Sequence, residues 1–237
     1  MFFLPFETKA TKIGYSVSIG RASLEDISCY SKYANDFKYV GLREKGAKDK
    51  VEAIWGHSVV DTVDPVLLLT REDWELFVDK DSSLSGEKYL LCYLINKKFI
   101  RQNMRIAEQI AKERGLKIKY IWMHLGRESF RKNFINDAGP IDFLNYMFYA
   151  SAVMTDGYHG TVFSTIFHKP LYSVINNRQS TDSRINDYLT LIGMEDRIIY
   201  GDAPVIPKTE TDYRKVEPKL RSIADSSKNF LNYAIQS

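Results

Sequence analysis

Two cysteines in 237 residues, Cys29 and Cys92, are too few for a disulfide framework. No apolar run is long enough to cross a bilayer, and no basic segment leads into a secretory core. The expectation is therefore a cytoplasmic protein with free thiols, Cys92 being a core residue within the apolar run Tyr89 to Ile95. Net charge is small as well. With 33 basic against 30 acidic residues, the balance of +3 excludes nucleic-acid binding by bulk electrostatics and confines any anion site to a local arrangement. Histidine is scarce at four, and no Cys/His/Asp grouping has ligand spacing, so no metal site is assigned. The chain has neither a repeat of fixed period nor a low-complexity tract.

What the chain does have is 44% hydrophobic residues, enough for a sizeable core in one large domain or two modest ones. Aromatic residues make up 13%, with 15 Tyr and 13 Phe, more than core filling alone calls for. Such rings serve either as core or as flat faces against sugar rings. Short strands alternate with helices, which implies a parallel sheet. Strands are expected at Ile13 to Ile19, Lys38 to Leu42, Tyr89 to Ile95, Lys117 to Trp122, around Val153 and at Leu171 to Ile175. Helices are expected from a capping box at Ser23 to about Ala34, and at Lys50 to Trp55, Phe99 to Arg114, Phe143 to Tyr149, Asp187 to Leu191 and Tyr213 to Ile235. The polar stretch Asp79 to Glu87 has no hydrophobic period and marks the expected domain boundary.

The densest signal is Thr155 to Pro170, TDGYHGTVFSTIFHKP. A buried strand ends there, His159 sits in the following turn, and Val162, Phe163, Ile166 and Phe167 recur at helical spacing. Ligands of open α/β sheets bind at the carboxyl ends of strands, and the N-H groups of Gly160, Thr161 and Val162 at the helix start would favour an anion. The alternative is a structural turn in which the histidine merely caps the helix.

This stretch resembles the signature of the polysaccharide pyruvyl transferase family. Gly139-Pro140-Ile141-Asp142-Phe143-Leu144, Asn177-Arg178-Gln179 and Ser183-Arg184-Ile185 resemble further elements of the family in the same order. So do Ser18-Ile19-Gly20, Val40-Gly41-Leu42-Arg43-Glu44 and Asp64-Pro65-Val66-Leu67-Leu68-Leu69 near the front. The resemblance implies an α/β protein of two Rossmann-like halves, GT-B-like, of which the first is truncated at its N-terminus and lacks a strand and a glycine-rich loop. On this expectation, 1–80 is a partial N-terminal Rossmann-like domain, 81–211 a C-terminal one, and 212–237 a helix that crosses back to the first.

The implied reaction moves a pyruvyl group from phosphoenolpyruvate to two hydroxyls of a sugar, on a surface polysaccharide or its lipid-linked oligosaccharide precursor. A cyclic ketal and phosphate result, and no cofactor is needed. The donor's carboxylate and phosphate demand cations or N-H groups, and protons must reach the methylene carbon and leave the hydroxyls. His159 is the expected proton carrier, because imidazole titrates near neutrality. Asp156 would orient it or bind a sugar hydroxyl, or would only form the loop. Arg43 resembles the family's donor-binding arginine, against the alternative of a surface pair with Glu44. Arg178 and Arg184 would hold the donor phosphate or tie down their loop, Gly160 and Thr161 would offer N-H groups, and Ser18 with Gly20 would let backbone approach a ligand. His57, His124 and His168 are read as structural.

Two alternatives stand beside this reading: a nucleotide-sugar glycosyltransferase, and a non-catalytic fragment that keeps only part of the cleft. The apolar start Phe2, Phe3, Leu4 and Phe6 would suit a homo-oligomer contact. The positive charge and the lipid-linked acceptor allow transient contact with the inner membrane surface.

Overall fold

The computed structural model describes residues 4, 6, 9–20, 22–122, 124, 133–176 and 184–237. They divide into two compact units, Met1–Leu69 with Glu217–Ser237, and Thr70–Val216.

In the first unit, alternating side chains build three parallel strands, β1 (Lys12–Val17), β2 (Phe37–Leu42) and β3 (Val60–Asp61), in the order β1-β2-β3. Alternation sends Val40 and Leu42 to one face, where Ile27, Ala34, Val51 and Trp55 close a core. These partners come from α1 (Leu24–Cys29), α2 (Ser31–Ala34) and α3 (Lys48–Trp55). Tyr39 and Gly41 turn to the other face, which α9 (Tyr213–Gln236) covers with Phe230 and Tyr233. Glycine is required at 41, since a Cβ there would stand 2.6 Å from Thr62 Cγ2 and 3.1 Å from Phe230 Cε1. The helix expected from Ser23 to Ala34 is two short ones. Ser23 and Asp26 form the capping box, but the Tyr30 N-H bonds back only three residues to the Ile27 carbonyl, at 3.3 Å, and the turn tightens there.

The second unit holds six parallel strands: β4 (Tyr89–Leu94), β5 (Lys117–Trp122), β6 (Phe134–Ile135), β7 (Ala152–Thr155), β8 (Leu171–Ile175) and β9 (Ile198–Tyr200). Their order is β6-β5-β4-β7-β8-β9. The chain starts mid-sheet at β4, builds outward to β6, then returns to β7 on the other side of β4 and builds outward again. Its helices are α4 (Arg71–Glu75), α5 (Ile100–Arg114), α6 (Pro140–Tyr149), α7 (Tyr158–Ile166) and α8 (Arg184–Ile192). Leu90, Cys92 and Leu94 share a core with Met104, Ala107 and Ile110 of α5. On the opposite face the Tyr89 hydroxyl donates to the Tyr146 carbonyl at 2.8 Å, and the Tyr93 ring meets Phe143 edge-on at 5.0 Å. Both faces of β4 are thus covered, as a central parallel strand requires, and each fully buried Leu contributes about 1.5–3 kcal/mol.

The units divide at Leu69/Thr70, ahead of the polar stretch Asp79 to Glu87. Two contacts account for this. The Trp74 ring packs edge-on against Phe163 at 5.0 Å, and the Asp79 N-H donates to Asn145 Oδ1 at 2.8 Å, so this segment belongs with α6 and α7.

Candidate functional site

Strand order reverses between β4 and β7, so their carboxyl ends part to either side and leave a crevice, the place where open α/β sheets bind ligands. Three successive residues there do different work. The Thr155 hydroxyl donates to the Tyr93 carbonyl at 2.7 Å and accepts from the Gly157 N-H at 3.1 Å, pinning the end of β7 to β4. The Asp156 carboxylate accepts from the Ile95 N-H at 2.7 Å, the Asn96 N-H at 3.3 Å and Asn103 Nδ2 at 3.0 Å. Burial pushes its pKa up, although the Ile95 and Asn96 amides pull the other way. Asp156 therefore spans the switch point, holding the loop after β4 to the end of β7.

Gly157 is the N-cap of α7, with extended backbone. Gly160 lies where a Cβ would come within 2.8 Å of Tyr93 Cδ1 and run into the Thr155 side chain, so only glycine lets the helix start so close to the sheet. The Thr161 N-H already bonds to the Gly157 carbonyl at 3.1 Å, and its buried hydroxyl pairs with Ser173 Oγ at 2.8 Å. The expectation that the Thr161 N-H lies open to a ligand is corrected accordingly. The helix begins earlier than the sequence suggested, with Tyr158, His159 and Gly160 as its first turn.

His159 is the second residue of α7 and is exposed, whereas residues 152–158 and 160–167 are all buried. Its ring meets Tyr158 edge-on at 5.5 Å, and Tyr158 in turn meets Tyr188 of α8 at 5.9 Å. Arg184, half-exposed, opens α8 one helical turn before Tyr188. Arg178 lies outside the described residues.

In the first unit, Arg43 follows β2 and its Nη1 donates to Asp64 Oδ2, a buried partner 3% exposed at the side chain. Glu44 pairs instead with the Ser18 hydroxyl and accepts from the Ile19 N-H at 3.3 Å. The alternative of a surface pair between Arg43 and Glu44 is thereby set aside, because each turns to a different partner across the sheet. Ser18 follows a register irregularity in β1 at Gly14 to Val17, and Gly20 adopts φ +56° with open space around it. Glycine at 20 thus serves the left-handed backbone there, a region costly to other residues.

Asn103 was missed by sequence reasoning, and His124 was read there as structural. Asn103 is fully buried on the apolar face of α5 between Ile100 and Ala107, and a lone amide on that stripe was the available signal. His124 Nε2 donates to the Ile95 carbonyl at 2.8 Å, bringing a second imidazole to the carboxyl rim of the sheet. Lys169 lies beyond the far end of α7, where burial, reinforced by the Arg71 charge, lowers its pKa to about 8. His168, at φ +53°, stacks on Tyr213 with ring centroids 4.5 Å apart. Among the described residues no cluster of three His, Cys, Asp or Glu side chains converges, and no helix is long and apolar enough to cross a membrane.

Solved structures with a similar fold include a UDP-N-acetylglucosamine 2-epimerase, 13% identical, with a TM-score of 0.51 over 84% of this chain and 57% of that one. Another is the Methanocaldococcus jannaschii UDP-GlcNAc 2-epimerase in complex with UDP-GlcNAc and UDP, 13% identical, with a TM-score of 0.50 over 81% of this chain and 56% of that one. The chain thus spans little more than half the length of these structures, and the likeness shows the fold alone, a GT-B-like α/β architecture. No curated protein matches significantly. The family model described as polysaccharide pyruvyl transferase matches residues 1–178, three quarters of the chain and the whole of the switch-point segment, and the chain belongs to that family.

Proposed function

We propose that this chain transfers the pyruvyl group of phosphoenolpyruvate to a sugar of a surface polysaccharide, or of its lipid-linked oligosaccharide precursor, forming a pyruvate ketal. One observation carries the reading: His159 is the exposed residue in an otherwise buried strand-to-helix segment at the topological switch point.

The chemistry distributes over the residues as follows. Protonation of the donor's methylene carbon makes the adjacent carbon electrophilic, one sugar hydroxyl adds there, phosphate departs, and the second hydroxyl closes the ring. Two hydroxyl protons are released; one remains on the new methyl group and the other leaves with phosphate. His159 is the group that moves them. The positive end of the α7 dipole favours the donor's negative charge. Arg178 and Arg184 hold the phosphate. Arg43, which the family resemblance assigns to the donor, is held by Asp64 within the first unit. Asp156 is a positioning residue that fixes the loop after β4, and Ser18 and Gly20 shape the turn after β1.

The test is phosphate release from phosphoenolpyruvate with a panel of pyranosides carrying free vicinal or 4,6-hydroxyls. His159→Asn is expected to lower the rate by about two orders of magnitude or more with an unchanged unfolding midpoint. Near-normal turnover in that variant would remove His159 from the reaction. A thermal shift with UDP but none with phosphoenolpyruvate would favour a nucleotide-sugar donor instead.

A further inference from the structure

The first unit contains a concavity that the reaction above does not use. β2 runs from Phe37 to Leu42 with Arg43 beyond its carboxyl end, and the concavity lies at the opposite, amino end. It has a volume of about 870 Å³. Strand register accounts for it: β3 begins at Val60, opposite Gly41, so among the described residues Phe37 to Val40 have no neighbouring strand on that side. The turn through Gly56, His57 and Ser58 faces this backbone edge across the gap.

Six rings wall the space: Phe37, Tyr39, Trp55, His57, Phe230 and Tyr233. Tyr39 lies on the face that α9 covers, where Tyr233 meets it edge-on at 5.4 Å, whereas Phe37, beyond a register irregularity, packs with Val40 against the core on the other face. Trp55 and His57 stack at 6.0 Å with 30° between planes. Tyr233 is 62% exposed, a large ring face left in water. The polar groups are nearly all neutral. Among the described residues no Asp or Glu side chain lines the space, and the Lys38 ammonium is already committed to the main-chain oxygen of Ser237, the last residue, at 2.9 Å. His57 Nδ1 donates to the Ser58 carbonyl at 3.2 Å, a bond the neutral ring can make.

Flat apolar faces beside an unpaired backbone edge and a rim of tyrosine hydroxyls, serine and asparagine suit a ligand with the same division. A pyranose has it, with C-H faces for the rings and equatorial hydroxyls for the edge, and it carries no charge. We propose that this concavity is a second saccharide site, holding a sugar ring of the glycan at the opposite end of the sheet from Arg43. It gives the aromatic surplus of the sequence a use beyond core filling. The choice of ligand class rests on the reading that the acceptor is a glycan.

The experiment is calorimetric titration of the chain, without phosphoenolpyruvate, with maltohexaose, a β-1,4-galactan hexasaccharide and an α-1,6-mannan hexasaccharide. At least one is expected to bind, with saturation transfer to its ring C-H protons. Tyr233→Ala and Tyr39→Ala should weaken that binding at least tenfold, Tyr233→Phe should restore it, and His159→Asn should leave it unchanged. Tyr233 is exposed, so its variants retain the fold, which the unfolding midpoint verifies. Failure of all three hexasaccharides to bind, or equal affinity in Tyr233→Ala, overturns the proposal. So does displacement of the sugar by an extended alternating Val-Thr hexapeptide, which would mark the edge as a strand-addition site. Turnover on short pyranosides separates the two readings: it persists if only the second site is wrong, and it survives His159→Asn only if the catalytic reading is wrong.

Discussion

Asn103 donates its side-chain amide to Asp156 Oδ2 at 3.0 Å, joining the buried face of α5 to the carboxyl end of β7. The same carboxylate receives the Ile95 and Asn96 amides, so one side chain fixes three segments at the point where the sheet reverses. Asp156→Ala leaves these donors, of which Asn103 is buried, without that acceptor, at an expected cost of about 2–4 kcal/mol. Urea unfolding gives the stability, and faster hydrogen exchange at Ile95 and Asn96 identifies the loop that is released. An unaltered midpoint would show that the carboxylate does not hold the crevice together.

Gly160 tests how closely α7 must approach the sheet. In Gly160→Ala the added methyl meets Tyr93 Cδ1 at 2.8 Å and the Thr155 side chain, and the helix start must move outward. The expected outcome is a loss of about 1–3 kcal/mol, with turnover falling further than stability because His159 moves with the helix. If the variant keeps wild-type turnover and midpoint, the close approach does not matter.

Arg43 and Asp64 form a pair with little exposure, 18% and 3% at the side chains. Arg43→Ala takes the guanidinium from the buried Asp64 carboxylate, which keeps the Val66 N-H, and is expected to cost about 3 kcal/mol, while the double variant Arg43→Ala/Asp64→Ala recovers part of that loss. If Arg43 binds the donor, as the family resemblance implies, affinity for phosphoenolpyruvate stays low in both. Donor affinity that recovers along with stability would make Arg43 a structural residue.

Lys169 gives a pH signature. Burial lowers its pKa to about 8 from 10.5, so between those values the unfolded chain holds a proton that the folded chain has lost. Stability from this group is therefore present above the higher value and is lost as the pH falls through the lower one. Relative to Lys169→Met, the wild-type chain should gain on the order of 2–3 kcal/mol between roughly pH 7 and 10.5. Denaturant titrations of both proteins across that range measure the difference, and parallel pH profiles would contradict the burial argument.

The legible parts of the fold were those with a strong local period. Lys117–Trp122 and Leu171–Ile175 are strands over the residues their apolar runs delimit, and α5 ends at Gly115 with φ +64°. Short elements escaped notice: α4, although Thr70 and Asp73 form its capping box, and β6 and β9, whose few residues show no period. The site divides in the same way. His159 and the start of its helix stand out in the sequence as a turn between a buried strand and an amphipathic run. Asn103 and Ile95, the partners of Asp156, do not, because they are brought to it by strand order.

Composition, period and glycine placement determined that this chain makes parallel sheets with a histidine turn at a strand end, since each of these is a property of neighbouring residues. Only the tertiary structure decided which strand ends lie side by side, that Arg43 turns to Asp64 rather than to adjacent Glu44, and that six rings meet at an unpaired edge of β2. Register and strand order set those meetings between residues far apart in the chain, and local side-chain pattern carries no record of either.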